Sequence, residues 1–127
     1  NYSDVLFFSS VNFEDPSPVM KFLHKWDPDK IIIAGMSEKG CALGYNNKIS
    51  YYSPVKVIKY PVIDTNGAGD ELVVGFLSSY FIERFSIEES IHRGQIAARY
   101  SCSIKGSSSN LITKQQLNKY FSELEGE

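Results

Sequence analysis

Residues Val62 to Phe76 read VIDTNGAGDELVVGF, which places Gly67, Ala68 and Gly69 between the acids Asp64 and Asp70. A β-branched run stops there and a helical pattern begins. Such a turn leaves the first backbone N–H groups of the helix uncovered, and the helix dipole adds partial positive charge. The turn is therefore suited to receive an anion. Glycine matters because a side chain would keep a phosphate away from those donors. Asp70, in the first helical turn, has two readings. As a cap or helix-terminal acid it stabilises the helix by about 1 kcal/mol. As a functional group it is a carboxylate beside a phosphate-sized hole. Repulsion makes it poor at holding phosphate, but it is placed to take a proton from an incoming hydroxyl.

The elements that must hold this turn follow from periodicity. DVLFFSS (4–10) and KIIIAG (30–35) are short apolar runs of the buried-strand kind. Between them SPVMKFLHKW spaces Val19, Phe22, Leu23 and Trp26 as an amphipathic helix, with Ser17 as cap and Pro18 at its first position. That is a β-α-β unit. GCALGYNN and KISYYSP form a hairpin about Asn46-Asn47, and VKVIKYPVID (55–64) reads as a further strand. Leu72, Val73, Phe76, Leu77 and Tyr80 line one face of a helix from Gly69 to about Arg84. Ser86 and Glu89 open a second helix with a capping box, running to about Ser103. Thr113 and Gln116 open a closing helix in the same way. The expected fold class is α/β, a mostly parallel sheet flanked by helices with a β-hairpin, in one domain over residues 1–127.

Composition sets the outer bounds. A chain of 127 residues with 43% hydrophobic and 22% charged residues can bury one real core. A net charge of −2, with Lys and Arg scattered, argues against nucleic acid as a partner. Cys41 and Cys102 have no His or Cys at ligand spacing, so reduced thiols in a cytoplasmic protein are the expectation, with a disulfide the alternative. NYSDVLFFSSVNFED does not read as a signal peptide, and no run approaches the ~20 apolar residues of a membrane span.

DTNGAGD (64–70) resembles the second signature of the PfkB, or ribokinase, family of carbohydrate and nucleoside kinases. GFLS (75–78), SIEESIHRGQIAA (86–98) and KGSSSN (105–110) follow in that family's order, and SEKG (37–40) is similar to its GEKG turn. Asn66, GFLS and IHRGQIAA are most similar to adenosine kinases. The resemblance implies transfer of the γ-phosphoryl group of ATP, with Mg²⁺, to a hydroxyl of a sugar or nucleoside. In that reading Asp70 is the catalytic base, the backbone N–H groups around Ala68, Gly69 and Asp70 are the anion hole, and Gly67 belongs to the same catalytic turn. The nucleotide would lie near Ser37, Gly40, Gln95, Ala98 and Gly106. Asp64 and the Asn66 carbonyl would hold a monovalent cation, K⁺, completed by a loop around Ser101 to Asn110.

The chain also departs from the pattern. The family's Asn-x-x-Glu element falls at Ser9 to Asn12 and reads SSVN, which removes a carboxylate from the Mg²⁺ and phosphate surroundings. The Thr-x-Gly turn appears as Gly35-Met36-Ser37. Glu71 adds a second acid near the phosphate site and is expected to point into solvent. Family members run to about twice this length, so the sequence looks like a carboxy-terminal half. The amino-terminal half and the β lid would be missing, and DVLFFSS would be an edge open to dimerisation. A non-catalytic domain that keeps the fold and binds nucleotide or a partner chain is the alternative to the kinase. Elsewhere, His24 and His92 read as structural, the tyrosines as sheet residues, and the Arg84 and Arg93 cations as solvated helix ends.

Overall fold

The structure, a computed structural model, describes residues 5–9, 15–65, 67–104 and 112–126, and of Ser37 the backbone alone. The chain forms two compact units, Asn1–Pro54 and Val55–Glu127.

The first unit is built on a sheet of order β1-β2-β3-β4. β1 (Val5–Ser9) pairs in parallel with β2 (Ile31–Gly35), Val5 opposite Ile31 and Ser9 opposite Gly35. Helix α1 (Ser17–Trp26) is the crossover. β3 (Cys41–Tyr45) and β4 (Lys48–Tyr52) add antiparallel ladders, with Ile33 opposite Leu43 and Leu43 opposite Ser50. The sheet expected to be mostly parallel thus has one parallel and two antiparallel pairings among the described residues. Connection length is the reason. A parallel return needs a crossover of about a dozen residues or more, whereas a single 3-10 turn, Ser37–Lys39, joins β2 to β3. Asn46 and Asn47, at φ 56° and 62°, close the expected β3–β4 hairpin.

Met20, Ile32, Ala34 and Ala42 form the core of this unit, with Leu6, Phe8, Leu23, Met36 and Ile49 packed against it. Each fully buried Ile or Met contributes about 1.5–3 kcal/mol of transfer free energy. The α1 cap differs from expectation. The helix starts at Ser17 with Pro16 in the capping position, and no side chain bonds from that position. Asp15 takes over: its carboxylate accepts the Ser17 N–H and hydroxyl at 3.0 Å each, and the Tyr51 hydroxyl at 2.9 Å.

The second unit is helical. α2 (Ala68–Leu77) runs into a π-helical turn, Ser78–Ile82, and ends at Arg84, whose φ is 65°. α3 (Ile87–Ser101) and α4 (Lys114–Glu125) follow. The box at Thr113 and Gln116 is complete. At α3 the Ser86 hydroxyl accepts the Glu89 N–H at 3.1 Å. Residues 55–64, expected as a strand, join no ladder among the described residues. Pro54 and Pro61 lack the N–H a ladder needs, and the segment is held by other means. Val55, Val57 and Ile58 are buried with Ile96 and Phe121. Among the described residues no helix is long and apolar enough to cross a membrane.

Candidate active site

The segment leading into the glycine turn is tied to the last turn of α3. The Ile63 and Asp64 N–H groups both donate to the Cys102 carbonyl, at 2.7 and 3.1 Å. Upstream, the Arg99 guanidinium donates to the Tyr60 carbonyl. Beyond the turn, α2 lies against α3 at two glycines. A Cβ on Gly75 would come within 2.8 Å of the Gly94 Cα, and one on Gly94 within 2.7 Å of the Leu72 carbonyl oxygen. Both ends of the motif are therefore fixed on α3, with Gln95 and Ala98 between the two points of attachment. Gln95 is buried and Ala98 half-buried.

Gly67 occupies the capping position of α2 at φ 83°, ψ −3°, a left-handed conformation that glycine takes without strain. It offers no side chain to the first-turn donors, and none caps them from that position. The Ala68 N–H is engaged at 3.3 Å with the Thr65 carbonyl, and the Glu71 N–H at 2.9 Å with the Gly67 carbonyl. Between them the Gly69 and Asp70 N–H groups have no backbone acceptor among the described residues. Of the three amides expected to form an anion hole, the one at Ala68 thus already has a partner. Gly69 and Asp70 are exposed, and the Asp70 carboxylate sits on the same turn as these two donors.

Glu71 does not simply face solvent. It is half-buried, and burial, then the neighbouring charge of Asp70, raises its carboxyl above the ordinary value. His92 on α3 is half-buried, and burial lowers its imidazole against an opposing pull from Glu88. Burial likewise raises the thiols of Cys41, to about 12, and Cys102. Both cysteines are free, which fits small core residues better than nucleophiles.

Asp64, Gly67, Ala68, Gly69, Asp70, Gln95 and Ala98 all belong to the second unit. Ser37 and Gly40 belong to the first, where Gly40 turns the chain at φ 98°. A Cβ on Gly40 would lie 1.9 Å from the Tyr52 carbonyl oxygen, so backbone packing alone accounts for that glycine. Asn66, Gly106, the loop at 105–110 and residues 10–12 of the SSVN element lie outside the described residues. Among those described, no group of three or more His, Cys, Asp or Glu could hold a metal ion.

Sequence reasoning missed three positioning residues. Arg93, expected in solvent, is buried. It bonds Glu89 and Asn118 at 2.8 Å each, and lies 4.2 and 4.5 Å from the centroids of Phe85 and Phe121. Gly75 and Gly94 carry the α2–α3 crossing. The signal available for them was an isolated glycine inside each helical pattern, which marks a close backbone approach.

The fold and turn define a class, and comparison with known proteins agrees. Residues 1–114 match the pfkB family carbohydrate kinase profile. The chain belongs to that family. It is 26% identical over 117 residues to an acarbose 7(IV)-phosphotransferase of Actinoplanes, covering 91% of this chain and 38% of that one. It is 30% identical over 91 residues to a deoxyribokinase of Salmonella typhi, covering 72% and 28%. The ribokinase of Arabidopsis thaliana, solved with ribose and ATP, superposes with a TM-score of 0.79 at 23% identity, covering 93% and 40%. That likeness establishes a partial α/β ribokinase-like fold. The chain spans less than two-fifths of the curated relatives it matches.

Proposed function

We propose that this chain supplies the phosphoryl-transfer half of an ATP-dependent kinase acting on a hydroxyl of a sugar or nucleoside. One observation carries the reading: the left-handed start of α2 at Gly67, with the Gly69 and Asp70 amides lacking a backbone acceptor among the described residues, beside the Asp70 carboxylate. Phosphoryl transfer asks a protein mainly for positioning and charge stabilisation. The Gly69 and Asp70 amides, in the turn that Gly67 opens, receive the γ-phosphoryl oxygens as charge develops. Asp70 accepts the hydroxyl proton as the new O–P bond forms and the bond from the γ-phosphorus to the bridging oxygen breaks, ADP being the leaving group. Gln95 and Ala98 of the second unit border the nucleotide.

Mg²⁺ bound with the nucleotide would neutralise charge on its phosphates. Asp64 and Asn66 would hold K⁺. The nucleoside-kinase leaning, toward adenosine-kinase-like enzymes, rests on Asn66, GFLS and the α3 sequence. The open edge of β1, which pairs only with β2 among the described residues, is where a second chain or further sheet would add. The cytoplasm is the compartment this chemistry calls for.

In a protein containing this chain, Asp70→Asn should lower phosphoryl transfer by roughly 10²- to 10⁴-fold while ADP binding stays within about twofold. Transfer at the unaltered rate removes Asp70 from the mechanism. The alternative, a domain that binds nucleotide or a partner without catalysis, is favoured by the SSVN element, which lacks the expected carboxylate.

A further inference from the structure

We propose that the first unit carries a second anion site, for a phosphate-bearing ligand, in the pocket between α1 and the tip of the β3–β4 hairpin. Lys21, His24, Lys25, Asn47 and Ile49 line it, and its volume is about 270 Å³. A water in the liquid takes about 30 Å³, so the pocket has room for a phosphate group with several waters. It belongs to α1 and the hairpin and shares no residue with the turn at Gly67–Asp70.

The walls are fixed. Met20 and His24 close onto β3 at Gly44, where a Cβ would come within 2.8 Å of the His24 ring and 2.9 Å of the Met20 methyl. The His24 Nε2 lies 3.0 Å from the Lys30 carbonyl, so a ring N–H donates there and sets the imidazole's orientation. Asn47, at φ 62°, is held in the hairpin turn.

The charges are unbalanced. Lys21 and Lys25 stand one turn apart on α1, an arrangement in which like charges repel. Among the described residues neither has a carboxylate within salt-bridge distance, whereas the nearby Lys30 pairs with Asp27 at 3.7 Å. Asp15, whose carboxyl feels the charge of Lys21, already accepts hydrogen bonds from Ser17 and Tyr51. Two ammonium groups without a carboxylate partner among the described residues, and an amide, around one concavity are a donor set for a phosphate oxyanion.

Inorganic phosphate titrated into the ¹⁵N-labelled 127-residue chain, at ionic strength held constant with chloride, should move the amide resonances of the lining residues Lys25 and Asn47 saturably. Lys21→Gln and Lys25→Gln should each weaken binding roughly three- to fivefold, and the double variant should abolish saturation. Lys25→Arg should keep the response, which separates loss of charge from loss of fold. A second arm uses phosphatidylglycerol vesicles with phosphatidylcholine vesicles as control. Charge-dependent binding in the vesicle arm alone identifies a lipid headgroup as the source, and in the phosphate arm alone a soluble phosphate. No saturable response in either arm, or a response that persists in the double variant, overturns the proposal. Stabilisation by ADP should be unchanged in the double variant. Its absence from the wild type would strike the kinase reading and leave this one standing.

Discussion

Gly75 of α2 and Gly94 of α3 meet backbone to backbone, with no room for a methyl on either: the Cβ of an alanine at 75 would lie 2.8 Å from the Gly94 Cα. The contact sets how α2, and with it the Gly67 turn, lies on α3. Gly75→Ala or Gly94→Ala should destabilise the chain by about 1–3 kcal/mol, the usual cost of overpacking. Urea unfolding checks it. An unchanged midpoint would mean the helices separate freely and the crossing does not hold the turn.

How far the sequence foretold this arrangement depends on which interactions are local. The Asn46-Asn47 turn, the Thr113–Gln116 box, the glycine turn and the existence of α1 were legible, because each is written within a few adjacent residues. The face that α1 buries was not, since Met20 and His24 are buried while Phe22 and Trp26, expected on the apolar stripe, are exposed. Residues 55–64 were misread because Val55, Val57 and Ile58 have strand-like chemistry. Their partners are Ile96 and Phe121, distant in sequence. The Ile63 and Asp64 amides are spent on a helix carbonyl rather than a neighbouring strand. Arg93 was misread because nothing next to it announces Phe121 or Asn118. The SEKG turn was legible as a turn, yet Gly40 is explained by the nearness of Tyr52 without any ligand.

Arg93 is a buried cation with its needs met by Glu89, Asn118 and two aromatic rings. Arg93→Met should cost about 2–4 kcal/mol, from loss of the buried pair and of the ring contacts. Calorimetric melting reads it directly. A loss below about 0.5 kcal/mol would assign Arg93 the worth of a surface ion pair.

Asp15 predicts an acid-sensitive cap on α1. The Ser17 N–H, then the Tyr51 and Ser17 hydroxyls, hold its carboxyl below its ordinary value of 3.8. The stability it adds is present above that value and is lost as pH falls through the lower folded one. Asp15→Asn should remove this part of the acid dependence, seen in melting curves taken between neutral pH and pH ~2. Identical acid profiles for the two proteins would contradict it.

Glu71 predicts an effect on anion affinity. Its charge is disfavoured by burial and by Asp70, and it stands in the first turn of α2 where phosphate is proposed to sit. Glu71→Gln should tighten ADP binding roughly two- to fivefold at low salt, and less at high salt as screening shortens the reach of the charge. Weaker binding in the variant would assign Glu71 a supporting role instead.

The central claim is that the Gly69 and Asp70 amides receive nucleotide phosphate. Amide chemical shifts of ¹⁵N-labelled protein, followed during titration with a non-hydrolysable ATP analogue, test it most directly. The account predicts saturable movement of the Gly69 and Asp70 resonances together. At about 100 times the dissociation constant it also predicts about 2.7 kcal/mol of added stability. Saturating nucleotide that leaves both resonances in place, or no binding of ATP analogue, ADP or AMP at all, would contradict it.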